Sequence, residues 1–481
     1  MDYRPIFFIV GILLVMLGIA MLIPAIADGI AANPDWRVFL ASAFLTSFIG
    51  GIFILMNRSR FGFLGVRQAF ILTTMSWIVI AAFGALPFMF SNLELTYTDA
   101  FFEAMSGITT TGSTVVTGLD FASPGILLWR ALLQWLGGIG IVVMAIAVLP
   151  MLGVGGMQLF HMESSDRSDK MMPRAAQIST TIAAIYLFLT VVCFAAYWAA
   201  GMSPFDAIAH SMTTIATGGF STSDASIGHF DSSAVHWIAV CFMILGSLPF
   251  LLYFQAVRGH VHALWQDTQV RWFCGITVFG LATMVYWRWR TADDAFWDTL
   301  RDCAFNVTSI ITGTGYSTAD YTTWGTFAVS AFFLFMFVGG CAGSTSCSIK
   351  VFRFQILFAV LRTQLLRLWQ PHGVFVPYYN RKPLEESVTQ AVMVFFFLFI
   401  LAFGLLTLVL AAIGLDFVTS VSGAATAIAN VGPALGDIIG PAGTFTALPD
   451  SAKWVLSVGM LLGRLELLTV LVLFTPGFWR A

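Results

Sequence analysis

Apolar runs of about 20 residues recur along this chain of 481 residues, the length a helix needs to cross a bilayer. They predict ten membrane spans, at about 6–26, 39–56, 70–90, 126–152, 181–200, 236–257, 272–287, 325–349, 388–413 and 454–474. The first run, "IFFIVGILLVML", precedes no small-residue cleavage site and reads as a retained span. Four segments interrupt the pattern, at about 97–120, 204–222, 296–320 and 415–436. Each is too short or too polar to span, starts near an acid and ends in a glycine-containing stretch. The chain therefore repeats a unit of helix, half-helix, glycine loop and helix, after two extra N-terminal spans.

Composition agrees with this class. Hydrophobic residues make up 58% of the chain and charged residues 10%, against about 25% charged in soluble domains. Mean hydropathy is +0.86. A net charge of −2 gives no reason to expect nucleic acid as a partner. The six cysteines show no paired metal spacing and read as small packing residues. Lys and Arg divide 16 to 6 between the two sides that the spans define, with Arg464 inside the last span. The positive-inside rule then puts both termini in the cytoplasm. The acids, Asp99, Glu103, Asp206, Asp298, Asp302 and Asp416 among them, gather on the outer side. Two readings stay open for them: a solvated acidic surface, or a vestibule that concentrates cations. No phosphate loop, dinucleotide fingerprint, HExxH or GxSxG is present. Neither an enzyme nor a resident cofactor is expected.

The four loops align with one another. "AHSMTTIATG" (209–218) lies over "AFNVTSIITG" (304–313) without gaps, and both continue to an aromatic followed by Ser-Thr. "MSGITTTGSTV" (105–115) and "SGAATAIANVGPALG" (422–436) join them through Thr111-Gly112 and Val431-Gly432. The expected register glycines are Gly112, Gly218, Gly313 and Gly432, with Gly315 above the ring. A dehydrated cation needs fixed oxygens, and backbone carbonyls supply them where glycine permits a positive φ. All four loops enter from the same side, so the repeats are parallel, unlike the inverted repeats of many transporters.

With these loops, "TTTGST", "ATGGFST", "TGTGYST" and "NVGPALG" in order, the sequence resembles the Trk/Ktr/HKT superfamily of potassium transporters, and within it the TrkH type. The resemblance covers nearly the whole chain. It implies an all-α polytopic membrane protein with four parallel helix–pore loop–helix repeats around a central pore and two extra N-terminal transmembrane helices. The expected division is 1–65 for the extra helices, then 66–175, 176–265, 266–385 and 386–481 for the four repeats. The implied potassium ligands are the carbonyls of Thr110, Thr111 and Gly112, of Ala216, Thr217 and Gly218, of Ile311, Thr312 and Gly313, and of Asn430, Val431 and Gly432. In plant relatives a serine in place of the first glycine goes with sodium transport, and this chain has Gly112 there.

The eighth span breaks at "VGGCAGSTSCSIK" (338–350). In the resemblance such a break is a gate loop under the filter, here Gly339, Gly340, Gly343, Ser344, Thr345, Ser346 and Lys350; a kinked helix without a gating role is the other reading. Lys350 either snorkels to the cytoplasm or holds the loop. Arg464 is ionisable near the middle of an apolar span; the resemblance makes it an electrostatic barrier below the filter, and a structural pairing stays open. Glu466, two residues on, is a poor partner for it. His210 reads as a packed pore-helix residue, because the third repeat has Phe305 in the expected register. Residues 153–180 and the basic, amphipathic 350–387 are cytoplasmic by the charge rule. The second lies along the bilayer or, as the resemblance implies, docks a separate nucleotide-binding regulatory ring of the TrkA kind on a homodimeric membrane subunit. The bacterial cytoplasmic membrane is the implied location. Two functions compete: potassium uptake through a gated filter, and sodium- or proton-coupled potassium symport.

Overall fold

The computed structural model describes residues 2–58, 65–147 and 171–480. The end of the fourth span and most of the polar 153–180 segment lie outside these residues. Among the described residues, seven helices are long and apolar enough to cross a membrane. Two further helix pairs are long and apolar enough together but bend sharply: Ser233–Gly246 with Phe250–Val257, at 89°, and Asp450–Arg464 with Leu468–Phe474, at 107°. The expected span at 325–349 is helical only over Thr326–Phe335 and resumes as a helix at Val351–Trp369. Between them Gly339 and Gly343 take positive φ, of 74° and 71°. Among the described residues the regular elements are helices, apart from a small hairpin pairing Tyr378–Tyr379 with Lys382–Pro383.

Short helices at Tyr97–Ile108, Pro204–Ile215, Phe296–Thr312 and Phe417–Ala429 sit between the spans, one in each repeat. The acid near each start is explained locally for three of them. Thr96 accepts from the Asp99 amide while donating to its carboxylate, Ser203 does the same with Asp206, and Asp416 caps through the Thr419 amide. These are N-caps, which satisfy orphan N–H groups where the helix dipole also favours an anion. The following helices come unusually close. A β-carbon on Gly137, Gly246 or Gly463 would press on the carbonyl of Ile108, Ile215 or Ile428, at the end of its repeat's short helix.

The two N-terminal helices cross on small residues. Gly11 of Arg4–Ala20 faces Gly50 of Trp36–Met56, and a β-carbon on either would lie 2.7 Å from the other's carbonyl oxygen. Small residues let backbones approach where the bilayer supplies no hydrophobic drive. The pair is tied to the first repeat by Asp28, fully buried, whose carboxylate accepts the Gly125 amide at 2.6 Å. Arg130 and Lys453, two of the six Lys and Arg on the outer side of that charge division, are buried in helices and paired with Glu103 and Asp99. Gly50→Leu is expected to overpack the crossing, costing about 1–3 kcal/mol. A lowered thermal unfolding midpoint in detergent is the readout, and an unchanged midpoint would mean the contact is not tight.

Candidate functional site

The four short helices end alike. The amides of Thr110, Thr217, Gly313 and Asn430 bond the carbonyls of Gly107, Thr214, Ile310 and Ala427. The next amides, of Thr111, Gly218, Thr314 and Val431, reach back to Ser106, Thr213, Ser309 and Thr426 at 2.9, 2.9, 2.8 and 3.1 Å. This is the Schellman pattern, with its left-handed residue at Thr110, Thr217, Gly313 and Asn430, φ 50°, 49°, 71° and 52°. Two residues later comes a second positive φ, at Gly112, Gly219, Gly315 and Gly432, of 89°, 81°, 83° and 107°.

Those last four glycines form a closed cycle of contacts. A β-carbon on Gly112 would strike the carbonyl oxygen of Gly218, one on Gly219 that of Thr314, one on Gly315 that of Val431, and one on Gly432 that of Thr111. Each wall leans on the next, in chain order, and the fourth returns to the first. This corrects the expected register. Gly218 and Gly313 are not the partners of Gly112 and Gly432; Gly219 and Gly315 are, and Gly315 lies in the ring rather than above it. Gly313 ends its helix instead, in the place where the other walls use Thr110, Thr217 and Asn430. Ala216 caps its helix, and Ile311 and Thr312 are still helical. In the corrected register Asn306, not Phe305, is the counterpart of His210.

Side chains of the short helices brace the loops beyond the ring. Glu103 accepts from the Thr114 hydroxyl and the Val115 amide, His210 meets the Ser221 hydroxyl at 3.0 Å, and Asn306 bonds the amide and hydroxyl of Thr318. The Pro124–Ala147 helix adds two groups that the sequence reading missed. Arg130 bonds Glu103 at 2.8 Å and the Ser221 carbonyl at 2.7 Å; Gln134 donates to the Gly218 carbonyl and accepts the Phe220 amide. Their i, i+4 spacing in an apolar run, "RALLQ", was the available signal.

Beneath the ring lies the break of the eighth span. Thr345 donates to the carbonyls of Ile215 and Gly246, Ser346 to that of Thr312, and Cys347 sits 3.8 Å from the Thr110 hydroxyl. The segment thus abuts the ends of three of the short helices. Within it Ser346 accepts the Gly340 amide, Ser344 donates to the Cys341 carbonyl, and the Gly343 carbonyl accepts the Phe250 amide. Gly339 packs against the Cys347 carbonyl. Arg464, 2% exposed, donates to the carbonyls of Thr345 and Gly137 at 3.2 Å each and contacts Cys347. Lys350 is buried 3.5 Å from Glu466, which also pairs with Arg353. Lys350 therefore holds the segment rather than reaching to solvent, and Glu466 serves Lys350 and Arg353 rather than Arg464.

The sequence model of TrkH, described as a cation transport protein, matches residues 36–480. The chain belongs to the TrkH family. It is 47% identical to the Trk system potassium uptake protein TrkI of Halomonas elongata, over 99% of this chain and 97% of that one. It is 40% identical to the Trk system potassium uptake protein TrkH of Escherichia coli, over the full length of both. The crystal structure of the potassium transporter TrkH from Vibrio parahaemolyticus superposes with a TM-score of 0.93 at 37% identity, covering 100% of each chain.

The corrected register makes a sharp prediction for this TrkH-family chain. Gly315→Ala is expected to reduce ion flux sharply, since its β-carbon has no room and φ is 83°. Gly313→Asn is expected to retain flux, because Asn430 already adopts that cap conformation in the fourth wall. Flux measured in reconstituted vesicles checks both, and the reverse order would restore Gly313 to the ring.

Proposed function

We propose that this protein takes up potassium across the bacterial cytoplasmic membrane, through a selectivity filter built at the ring. The single observation that carries the reading is the closed cycle of four glycine–carbonyl contacts. Non-helical backbone at membrane depth persists only where it is buried or lines a polar path. Four converging helix C-termini add negative dipole ends that favour a cation there. The proposed ligands are the carbonyls of Thr110, Thr111 and Gly112, of Thr217, Gly218 and Gly219, of Gly313, Thr314 and Gly315, and of Asn430, Val431 and Gly432. The five-part division at 65, 175, 265 and 385 and the cytoplasmic termini belong to the same proposal.

The segment from Gly339 to Lys350 is the proposed gate. Its bonds to three walls and to Arg464 support a loop held shut by polar contacts. The C-terminal half of the Val351–Trp369 helix, exposed at Leu361, Leu365, Leu368 and Trp369, and the 378–383 hairpin are the proposed docking face for a TrkA-like nucleotide-binding ring, on a homodimer of this subunit.

Rubidium uptake into proteoliposomes, with an imposed potential and no sodium or proton gradient, tests the function. Uptake that persists supports a channel, and its absence supports coupled symport. Gly112→Ser, whose β-carbon would also meet a neighbouring carbonyl, is expected to reduce flux and to lower potassium-over-sodium selectivity in the flux that remains, read by competition of the two ions for rubidium uptake. Arg464→Ala is expected to raise flux, because it frees the loop at Thr345 and removes a buried positive charge from the path. A fall in flux with folded, inserted protein would make Arg464 structural instead.

A further inference from the structure

The four walls are not held in the same way, and the difference lies at one position of the pore helix. Glu103, His210, Asn306 and Gly423 occupy it in the corrected register. His210 and Asn306 brace only their own walls. Gly423 has no side chain to brace with; in its wall Ser422 donates to the Leu435 carbonyl and the Thr426 hydroxyl accepts the Gly432 amide at 2.9 Å. Glu103 alone carries charge, and with its partner it spans two walls. Its carboxylate holds Thr114 and Val115 of wall one. Arg130, paired to that carboxylate, holds the Ser221 carbonyl of wall two and lies 4.1 Å over the Phe220 ring. Both side chains are buried, at 0% and 2% exposure.

A buried ion pair is a poor source of stability, because desolvation offsets most of the attraction. Its strengths are fixed geometry and directional, charge-assisted hydrogen bonds. Here the geometry it fixes is the separation of walls one and two, just outside the ring. Given the filter reading, on which this rests, we infer that Glu103 and Arg130 are positioning residues for ion selectivity: a charged clamp that sets one side of the ring to the size of the larger ion. Neither touches the ion. Loosening the clamp lets the walls relax inward around sodium, while the path itself stays open.

The test is Glu103→Gln in the full-length protein, reconstituted in vesicles and read by rubidium uptake against competing potassium and sodium. Glutamine keeps the size but turns N–H groups toward Arg130 or the Val115 amide. The preference for potassium over sodium is expected to fall about tenfold, the loss of one charge-assisted hydrogen bond. The half-saturating rubidium concentration rises, and maximal flux changes by less than about twofold, a split that a general loss of structure does not produce. Where the single variant is poorly folded, Glu103→Gln with Arg130→Gln leaves no unpaired buried charge and is expected to show the same selectivity loss with a near-normal melting midpoint. Unchanged selectivity in either folded variant overturns the inference. So does the absence of folded protein from both, which would make the pair a stability element. Gly112→Ser run alongside separates the two readings. If it leaves selectivity unchanged, the filter reading falls; if it lowers selectivity and Glu103→Gln does not, only the clamp falls.

Discussion

Everything in this structure is arranged around a contact that any side chain would crowd. Four backbone carbonyls, of Thr111, Gly218, Thr314 and Val431, each sit where the β-carbon of a neighbouring wall's glycine would be. Backbones packed this closely in a bilayer must have their polar groups satisfied, since lipid offers none. The Schellman caps satisfy the amides just before the ring. Glu103, His210 and Asn306 satisfy groups just after it. Links between walls complete the frame: Asn430 to the Thr111 hydroxyl, Ser113 to the Gly432 carbonyl, and the Tyr316 hydroxyl to Thr213 and Thr214. The long helices follow from this need, as glycine-lined supports that press on the short helices from behind.

The architecture was legible because its signals are long and repeated. Ten apolar runs and four interruptions of one kind leave little freedom, and Thr111-Gly112 and Val431-Gly432 fell in the right register. Walls two and three did not, for a physical reason. The loop needs two left-handed residues, one closing the helix and one in the ring. The first tolerates threonine or asparagine at some strain; the second, crowded by the next wall's carbonyl, strongly favours glycine. Wall three has glycine at both, and wall two has adjacent glycines, so matching the first glycine seen selects the cap residue in one and the residue before the ring in the other. The better guide was already in the sequence. Phe220-Ser221-Thr222 over Tyr316-Ser317-Thr318 requires the offset that pairs Gly219 with Gly315.

The bend in the last span was illegible for a different reason. "GRLELL" has no proline, and its one glycine precedes the break, yet Glu466 and Leu467 take φ of 61° and 44°. Local propensity does not ask for this; buried charge does. Arg464 and Glu466 each need partners in an apolar setting, and those partners lie in different places: Thr345, Cys347 and Gly137 for one, Lys350 and Arg353 for the other. A regular helix places residues two apart on different faces, so it cannot turn both toward the broken eighth span. The chain leaves the helix to do so. Sequence shows the expensive residues but not the three-dimensional partners that make their burial possible.

That arrangement also joins two features that the sequence kept separate. The break at 339–350 and the break at 465–467 are bound to each other at both ends, through Thr345 and Arg464 and through Lys350 and Glu466. Because Arg464 bonds a loop carbonyl, the guanidinium and the loop occupy the space beneath the ring together. On the proposed reading, the steric and the electrostatic barriers to a cation are then one object. Shifting the loop without Arg464 would strand a buried charge, and shifting Arg464 without the loop would strand a buried carbonyl; each costs more than moving both. Opening is therefore expected to be a joint displacement of two chain breaks, which gives a gate with two states rather than a graded constriction.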